Sequence, residues 1–397
     1  MRRGDVVAVR LPQGEAWREI VARTWEGGAA LLPVDHRLPE TAAEDLLSRG
    51  EPTILISPSG WERLPGGRPA DPSVGLIIPT SGSSARPRLV ELARQAVEAA
   101  VSASLDGLRA GDGDGWLSCL PMSHVGGLLV VLRCLLSGSP LVFRGGDDLV
   151  PPAGVRFVSL VPTLLSRALD AGTDLAGYAG IVVGGGGMEA ALAGRAATAG
   201  ARCVVTYGLT QSCGGVVYDG VPLPGVSVRI SEAGEIELGG PTLMRGYRDN
   251  AEAAAISGVE DAFTGDGWLR TGDAGNIDEA GLLQVQGRID DLIVTGGEKV
   301  WPADVEDALR GHPAIAGCAV FGRRDPVWGE RVVAAVVCAT PGPPPTLEAV
   351  RDWVGALLGR HSAPRELVIV SSLPRTALGK VRRDMLNDLG GGMILLD

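Results

Sequence analysis

Four stretches of this chain combine residue types that handle phosphate, sugar and carboxylate groups. In Thr80-Ser81-Gly82-Ser83-Ser84-Ala85-Arg86-Pro87-Arg88, hydroxyls, backbone N–H groups around a glycine and two guanidiniums suit the wrapping of a polyphosphate. No GxxxxGK[ST] loop occurs, so this is not the P-loop arrangement. Thr206-Tyr207-Gly208-Leu209-Thr210-Gln211 follows the apolar run Cys203–Val205, and an aromatic face, a glycine and a hydroxyl at a strand end suit a nucleobase beside a phosphate. Thr271-Gly272-Asp273 is followed by Gly287-Arg288-Ile289-Asp290-Asp291, which supplies a carboxylate for ribose hydroxyls and an arginine for a phosphate oxygen. Finally, Pro374-Arg375-Thr376-Ala377-Leu378-Gly379-Lys380 displays a lysine beyond a glycine, a group able to neutralise charge on a transferring phosphoryl. Read one at a time, each stretch is also an ordinary surface turn, a buried tyrosine or a solvated lysine.

Positioning these residues requires a large α/β body. Apolar runs at 5–10, 53–57, 76–80, 140–143, 155–160, 180–183 and 202–206 read as strands. Helical spacing at 14–27, 40–50, 95–106, 162–171 and 188–199 separates them, the alternation of largely parallel sheets flanked by helices. The run 115–136 reads as strand, turn and long apolar helix. After residue 213 the closely spaced runs VSVRI, GEIEL and GLLQVQG predict a small antiparallel β-unit. A new alternation from 302 onward predicts a small α+β domain, with the boundary near 290, so that 1–289 and 290–397 form two domains.

Composition narrows the function classes. The 397 residues carry a net charge of −11, which disfavours a general nucleic-acid binder. No run reaches the roughly 20 apolar residues of a membrane span, and the start turns polar too early for a secretory leader, so a cytoplasmic protein is expected. Six cysteines lack any CxxC pairing, which predicts buried thiols rather than zinc or disulfides. Of the 36 basic residues only Lys299 and Lys380 are lysines, and both fall in the motif-like loops.

The order of these stretches resembles the superfamily of adenylate-forming enzymes, which includes acyl-CoA synthetases, adenylation domains of peptide synthetases and luciferase. The likeness runs through GDVVAVRLPQGEAW, TSGSSARPR, LPMSHVGG, YGLTQS, GEIELGGPTLMRGY, GWLRTGDAG, GRIDDLIVTGGEKVWPADVE and PRTALGKVRR, all in family order. It implies activation of a carboxylic acid by ATP to an acyl-adenylate with release of pyrophosphate, then transfer to a thiol, commonly that of coenzyme A. It also implies that Thr80, Ser81, Gly82, Ser83, Ser84 and Arg88 cradle the β,γ-phosphates. Gly185 and Gly186, with Thr206, Tyr207 and Gly208, would hold adenine. Thr210 would touch phosphate, Asp273 the ribose, and Arg288 the ribose or phosphate. Asp290 matches the hinge about which a mobile C-terminal domain swings, and Lys380 would bridge the carboxylate and the α-phosphate. His124 matches a position near the acyl pocket.

Gln211 departs from the family, which usually carries Glu at this position to help hold magnesium. Ala85 and Arg88 likewise stand where Gly and Lys are usual. The segment YGLTQSCGGVVYDGVPLPGVSVRI most resembles actinobacterial o-succinylbenzoate–CoA ligases of menaquinone biosynthesis. The alternatives are a related ligase that uses another acid and passes it to CoA, a carrier protein or an amine, and a degenerate nucleotide-binding relative. A homodimer is a further expectation.

Overall fold

The computed structural model describes residues 1–80, 87–145, 148–248, 262–339, 342–375, 381–386 and 392–395. The chain folds as two compact units. The first comprises Met1–Arg229, Glu237–Thr271 and Glu279–Leu283; the second comprises Ile230–Ile236, Gly272–Asp278 and Gln284–Asp397.

In the first unit the chain begins with strands β1 (Val6–Val9), β2 (Ala30–Pro33), β3 (Ile54–Ser57), β4 (Gly60–Arg63), β5 (Val74–Pro79) and β6 (Leu89–Ala93). Helices α1 (Glu15–Glu26) and α2 (Glu40–Gly50) link β1 to β2 and β2 to β3, and α3 (Arg94–Leu108) follows β6. Next come β7 (Gly115–Ser118), α4 (Val125–Ser137), β8 (Leu141–Phe143), β9 (Val155–Leu160), α5 (Pro162–Asp170), β10 (Gly180–Val183), α6 (Ala190–Thr198), β11 (Cys203–Leu209), β12 (Gly214–Tyr218) and β13 (Val221–Pro222). The short strands β14 (Ser227–Ile230), β15 (Glu235–Gly239), β16 (Gly246–Tyr247), β17 (Leu269–Ile277) and β18 (Leu283–Arg288) complete the β-rich stretch, and the division into units falls within it.

Two seven-stranded sheets dominate, in the orders β16-β6-β5-β2-β1-β3-β4 and β13-β12-β11-β10-β9-β7-β8. Each is parallel in its middle. The first turns antiparallel at both margins, the second only along β11-β12-β13. The parallel middle explains the sequence: Val6, Val7, Ala8 and Val9 are all fully buried, as a strand covered on both faces must be. Helix α4 is nearly as apolar. Its buried Arg133 donates to Ser104 Oγ at 3.0 Å and lies 4.9 Å over the Trp116 ring, which gives its charge a partner and a platform.

The second unit contains β19 (Ile293–Thr295), β20 (Glu298–Val300), helix α7 (Pro302–Arg310), β21 (Ile315–Asp325), β22 (Gly329–Cys338), helix α8 (Leu347–Leu358), β23 (Glu366–Ile369) and β24 (Gly392–Leu395). Its sheet runs β20-β19-β22-β23-β24, with β21 also paired to β22, and only β22–β23 is parallel. Pro302 opens α7, where its missing N–H costs nothing. Val305, Leu309, Val350 and Val354 from the two helices meet Val320, Val332 and Val336 in one core.

The α/β and α+β fold classes thus agree with expectation, and several short strands were not foreseen. Beyond the predicted runs the structure adds β2, β4, β6, β12, β13, β16, β17, β19, β20 and β24. All six cysteines are free, and burial pushes the thiols of Cys119 and Cys134 up to about 12. No helix among the described residues is long and apolar enough to cross a membrane.

Candidate active site

The phosphate-type loop leaves the sheet between β5 and β6, which pair antiparallel with Pro79 opposite Leu89. Thr80 N donates to Arg88 O at 2.8 Å, and Arg88 N donates back to Thr80 Oγ1 at 3.0 Å. These two bonds close the neck of the loop and hold the Thr80 hydroxyl at its base. Ser81, Gly82, Ser83 and Ser84 lie outside the described residues.

In the second sheet β7, β9, β10 and β11 run parallel, so the loops after them emerge along one edge. This brings together the turn ending at His124, the exposed Gly185 and Gly186, and Thr206–Gln211. Thr206 Oγ1 donates to Val183 O at 3.2 Å, and a Cβ at Gly184 would come within 2.6 Å of that hydroxyl. Glycine is therefore required where β10 passes Thr206.

The expectation that this strand ends at residue 206 is corrected: β11 continues to Leu209. The continuation pairs with β12 through a bulge between Tyr207 and Gly208, and a Cβ at Gly208 would collide with the Gly214 carbonyl. The reversal is a single 3-10 turn over Thr210–Ser212, locked by Ser212. Its Oγ accepts from Leu209 N at 2.9 Å and donates to Gly214 O at 3.0 Å. Ser212 and Cys213 are fully buried, so they build the turn and the core rather than an open pocket wall.

One side chain joins the two sheets' contributions and was missed in the sequence. Strand β16 pairs with β6, Tyr247 opposite Val90, and Met244 N donates to Gln211 O at 2.7 Å. Gln211 Nε2 donates to the Tyr247 hydroxyl at 3.2 Å, and the Arg88 guanidinium lies 5.0 Å above the Tyr247 ring. Thr80, Arg88, Gln211 and Tyr247 thus form one connected group. The available signal was the MRGY ending of GEIELGGPTLMRGY, whose tyrosine carries neither a charge nor a familiar catalytic pattern to mark it.

His124 caps α4 from an extended backbone, its carbonyl accepting from Gly127 N and Leu128 N, each at 3.1 Å. Burial pushes the imidazole below its ordinary value, Asp35 opposing and Arg37 reinforcing the effect, which favours the uncharged ring. The preceding residues Pro121, Met122 and Ser123 line a cavity of about 170 Å³ together with Gln13, Trp17 and Asp35. Asp35 is held down at about 2: burial opposes the shift, and the hydrogen bonds from Arg37 outweigh it.

The second unit holds its own cluster. Arg288 Nη1 meets Asp273 Oδ1 at 3.1 Å, and Asp273 is nearly buried. Gly272, within β17, has φ +69°, and a Cβ there would stand 2.7 Å from Arg288 Nη2, so glycine both adopts this backbone and admits the guanidinium. Asp290 is exposed, 3.9 Å from Arg288 Nη2. Lys380 lies outside the described residues. On the two sides of its segment, Arg375 bridges Val381, and Arg382 N donates to Pro374 O at 2.8 Å. Arg383 then binds the buried Glu306 at 2.6 Å and reaches Asp291 at 3.4 Å.

A family model for AMP-binding enzymes matches residues 64–248, and one for the AMP-binding enzyme C-terminal domain matches 304–380. A probable 2-succinylbenzoate–CoA ligase of Mycobacterium tuberculosis (strain ATCC 25618 / H37Rv) is 40% identical over 365 residues, covering 87% of this chain and 93% of that one. The chain belongs to the AMP-binding enzyme family. An indoleacetate–CoA ligase of Aromatoleum aromaticum is 32% identical, over 91% of this chain and 84% of its own. The fold matches o-succinylbenzoate CoA synthetase from Bacillus subtilis, solved with its acyl-adenylate intermediate, at a TM-score of 0.84 and 24% identity, covering 99% of this chain and 90% of that chain. The expectation of an adenylate-forming enzyme is met. As an AMP-binding enzyme, this chain has the Thr80–Arg88 neck and the Thr206–Gln211 segment inside the matched 64–248.

Proposed function

We propose that the chain is an AMP-forming acid–thiol ligase that joins 2-succinylbenzoate to coenzyme A in the cytoplasm. The observation that carries the substrate is the 40% identity to a probable 2-succinylbenzoate–CoA ligase across 93% of that relative. In the first half-reaction a substrate carboxylate oxygen forms a bond to the α-phosphorus of ATP as the bond to pyrophosphate breaks. In the second, the coenzyme A thiol loses its proton to solvent, its sulfur bonds to the acyl carbon, and AMP leaves with the shared oxygen as the acyl C–O bond breaks. Such chemistry asks for positioning and charge neutralisation rather than a covalent protein group.

In this reading the Thr80–Arg88 loop, including Ser81, Gly82, Ser83 and Ser84, holds the outer phosphates. Gly185, Gly186, Thr206, Tyr207 and Gly208 take the adenine. Thr210 meets phosphate at the start of its 3-10 turn, and His124 faces the acyl group. Asp273, kept oriented by Arg288, receives the ribose hydroxyls. Lys380 bridges carboxylate and α-phosphate, and Asp290 is the hinge between an acid- and ATP-binding domain (1–289) and a mobile lysine-bearing domain (290–397).

Among the described residues no cluster of three or more His, Cys, Asp or Glu could hold a metal ion by itself. The donors at hand are neutral oxygens, Gln211 Oε1 and Thr210 Oγ1. They fit a magnesium ion that arrives on ATP and takes most of its ligands from phosphate and water. Such an ion would supply charge neutralisation on the leaving pyrophosphate.

The test is pyrophosphate release with ATP and magnesium across a panel of carboxylic acids, with and without coenzyme A, products identified by mass. Formation of 2-succinylbenzoyl-CoA in preference to other thioesters is the expected result. Preference for an indole- or hydroxycinnamate-type acid would keep the mechanism and replace the substrate. No pyrophosphate from any acid would overturn the reading.

A further inference from the structure

We propose that Tyr247 is a positioning residue that sets both the amide orientation of Gln211 and the seat of Arg88, and so governs how the site takes a magnesium–triphosphate group. The inference rests on the reading of Arg88 and Gln211 as phosphate- and magnesium-facing. It concerns a residue that neither composition nor motif chemistry singles out.

Its geometry is specific. An amide side chain can turn either end toward a neighbour, and here Nε2 donates to the phenol oxygen at 3.2 Å. That choice leaves Oε1 as the amide's acceptor, the only end that can face a cation. A carboxylate at 211 would have both oxygens available. With Gln, the correct atom is selected by its neighbour, and the phenol hydroxyl makes the selection. The same ring carries the Arg88 guanidinium on its face, 5.0 Å from the centroid, and among the described residues that guanidinium makes no ion pair. A planar cation seated on an aromatic face keeps its N–H edge available for phosphate oxygens.

Tyr247 is itself fixed from three sides. It pairs with Val90 in β6, Arg248 N donates to Leu89 O at 2.8 Å, and Met244 N holds the Gln211 carbonyl at 2.7 Å. Arg248, 1% exposed, donates through Nε to Gly50 O at 2.8 Å and reaches Glu91 Oε1 at 3.3 Å. The strand that carries the ring is therefore anchored independently of any ligand.

The experiment measures binding by calorimetry for three ligands: AMP, ATP in EDTA, and ATP with magnesium. Tyr247→Phe keeps the ring and removes the hydroxyl. It is expected to leave AMP and ATP in EDTA within about twofold of wild type while reducing the magnesium-dependent gain in ATP affinity about fivefold, the size of one net hydrogen bond. Tyr247→Leu also removes the platform, so ATP in EDTA should weaken about threefold more, with AMP still unchanged. In a Gln211→Ala background Tyr247→Phe should have no further effect on the magnesium gain.

Equal weakening of all three ligands by Tyr247→Phe would mean a structural role only and overturn the proposal. No change in any of them would overturn it as well. If Tyr247→Leu does not fold, the isosteric Phe variant decides alone. A wild-type protein that binds ATP but shows no Tyr247 effect defeats this inference and leaves the proposed function intact. One that binds neither AMP nor ATP defeats both.

Discussion

The group around Tyr247 and the group around Asp273 solve similar problems with opposite means. The first is neutral apart from Arg88: an amide, two hydroxyls and backbone groups, held by hydrogen bonds at 2.7 to 3.2 Å. The second is ionic, a nearly buried carboxylate against a guanidinium at 3.1 Å. The difference follows from what each is proposed to receive. A triphosphate brings its own negative charge and its own cation, so neutral oxygens and one guanidinium can receive it without a second buried charge. Ribose hydroxyls bring no charge and are best received by a carboxylate, which needs a local partner to stay ionised and oriented.

In the proposed reading neither group places a cation on the α-phosphate, so the largest effect belongs elsewhere. Lys380→Ala should lower adenylate formation about 10²–10³-fold, as loss of a transition-state charge partner does. Thioester formation from supplied acyl-adenylate should be little changed, and measuring the two half-reactions separately checks this. Equal losses in both would remove Lys380 from its role.

Asp273→Asn breaks the ionic group itself. Replacing a charged acceptor by a neutral one should raise KM for ATP about 10- to 100-fold, the cost of a charged hydrogen bond. The parallel measurement with 2′,3′-dideoxy-ATP sharpens the contrast, since that analogue should lose little between wild type and variant. A loss as large with the analogue would place Asp273 in the support of Arg288 alone.

Gln211→Glu makes the neutral group resemble the ionic one and should have the smallest effect, a rise of about two- to fivefold in turnover at limiting magnesium, the size of one added surface-type charge interaction. The phenol hydroxyl can then donate where it had accepted. Titration of magnesium at fixed ATP reads this directly. A collapse of activity instead would show that the site is built around the neutral amide.

Much of this was legible in the sequence because it depends on local pattern. The buried run Val6–Val9, the apolar helix α4 and the glycine of Thr271-Gly272-Asp273 each declare themselves within a few residues. Strands β2 and β4 did not. One ends in Pro33 and spans four residues; the other, Gly60–Arg63, is exposed throughout and exists only as the antiparallel partner of β3. β11 was cut short because Tyr207-Gly208 reads as a turn, whereas the glycine serves close pairing with Gly214. Tyr247 was least visible, since its two-residue strand exists only through pairing with β6, remote in the chain. Such placement is tertiary information, which local propensity does not carry.

The chain has only two lysines among 36 basic residues, so most of its arginines say little about why arginine was chosen. Arg248 is the most buried exception among those that span several acceptors. Its guanidinium serves the Gly50 and Arg68 carbonyls and the Glu91 carboxylate at once, in an interior with 1% exposure. A lysine ammonium, a single point on a flexible stem, cannot span three acceptors in a plane. Elsewhere arginine can reflect drift in base composition. At position 248 the arrangement of acceptors dictates the amino acid.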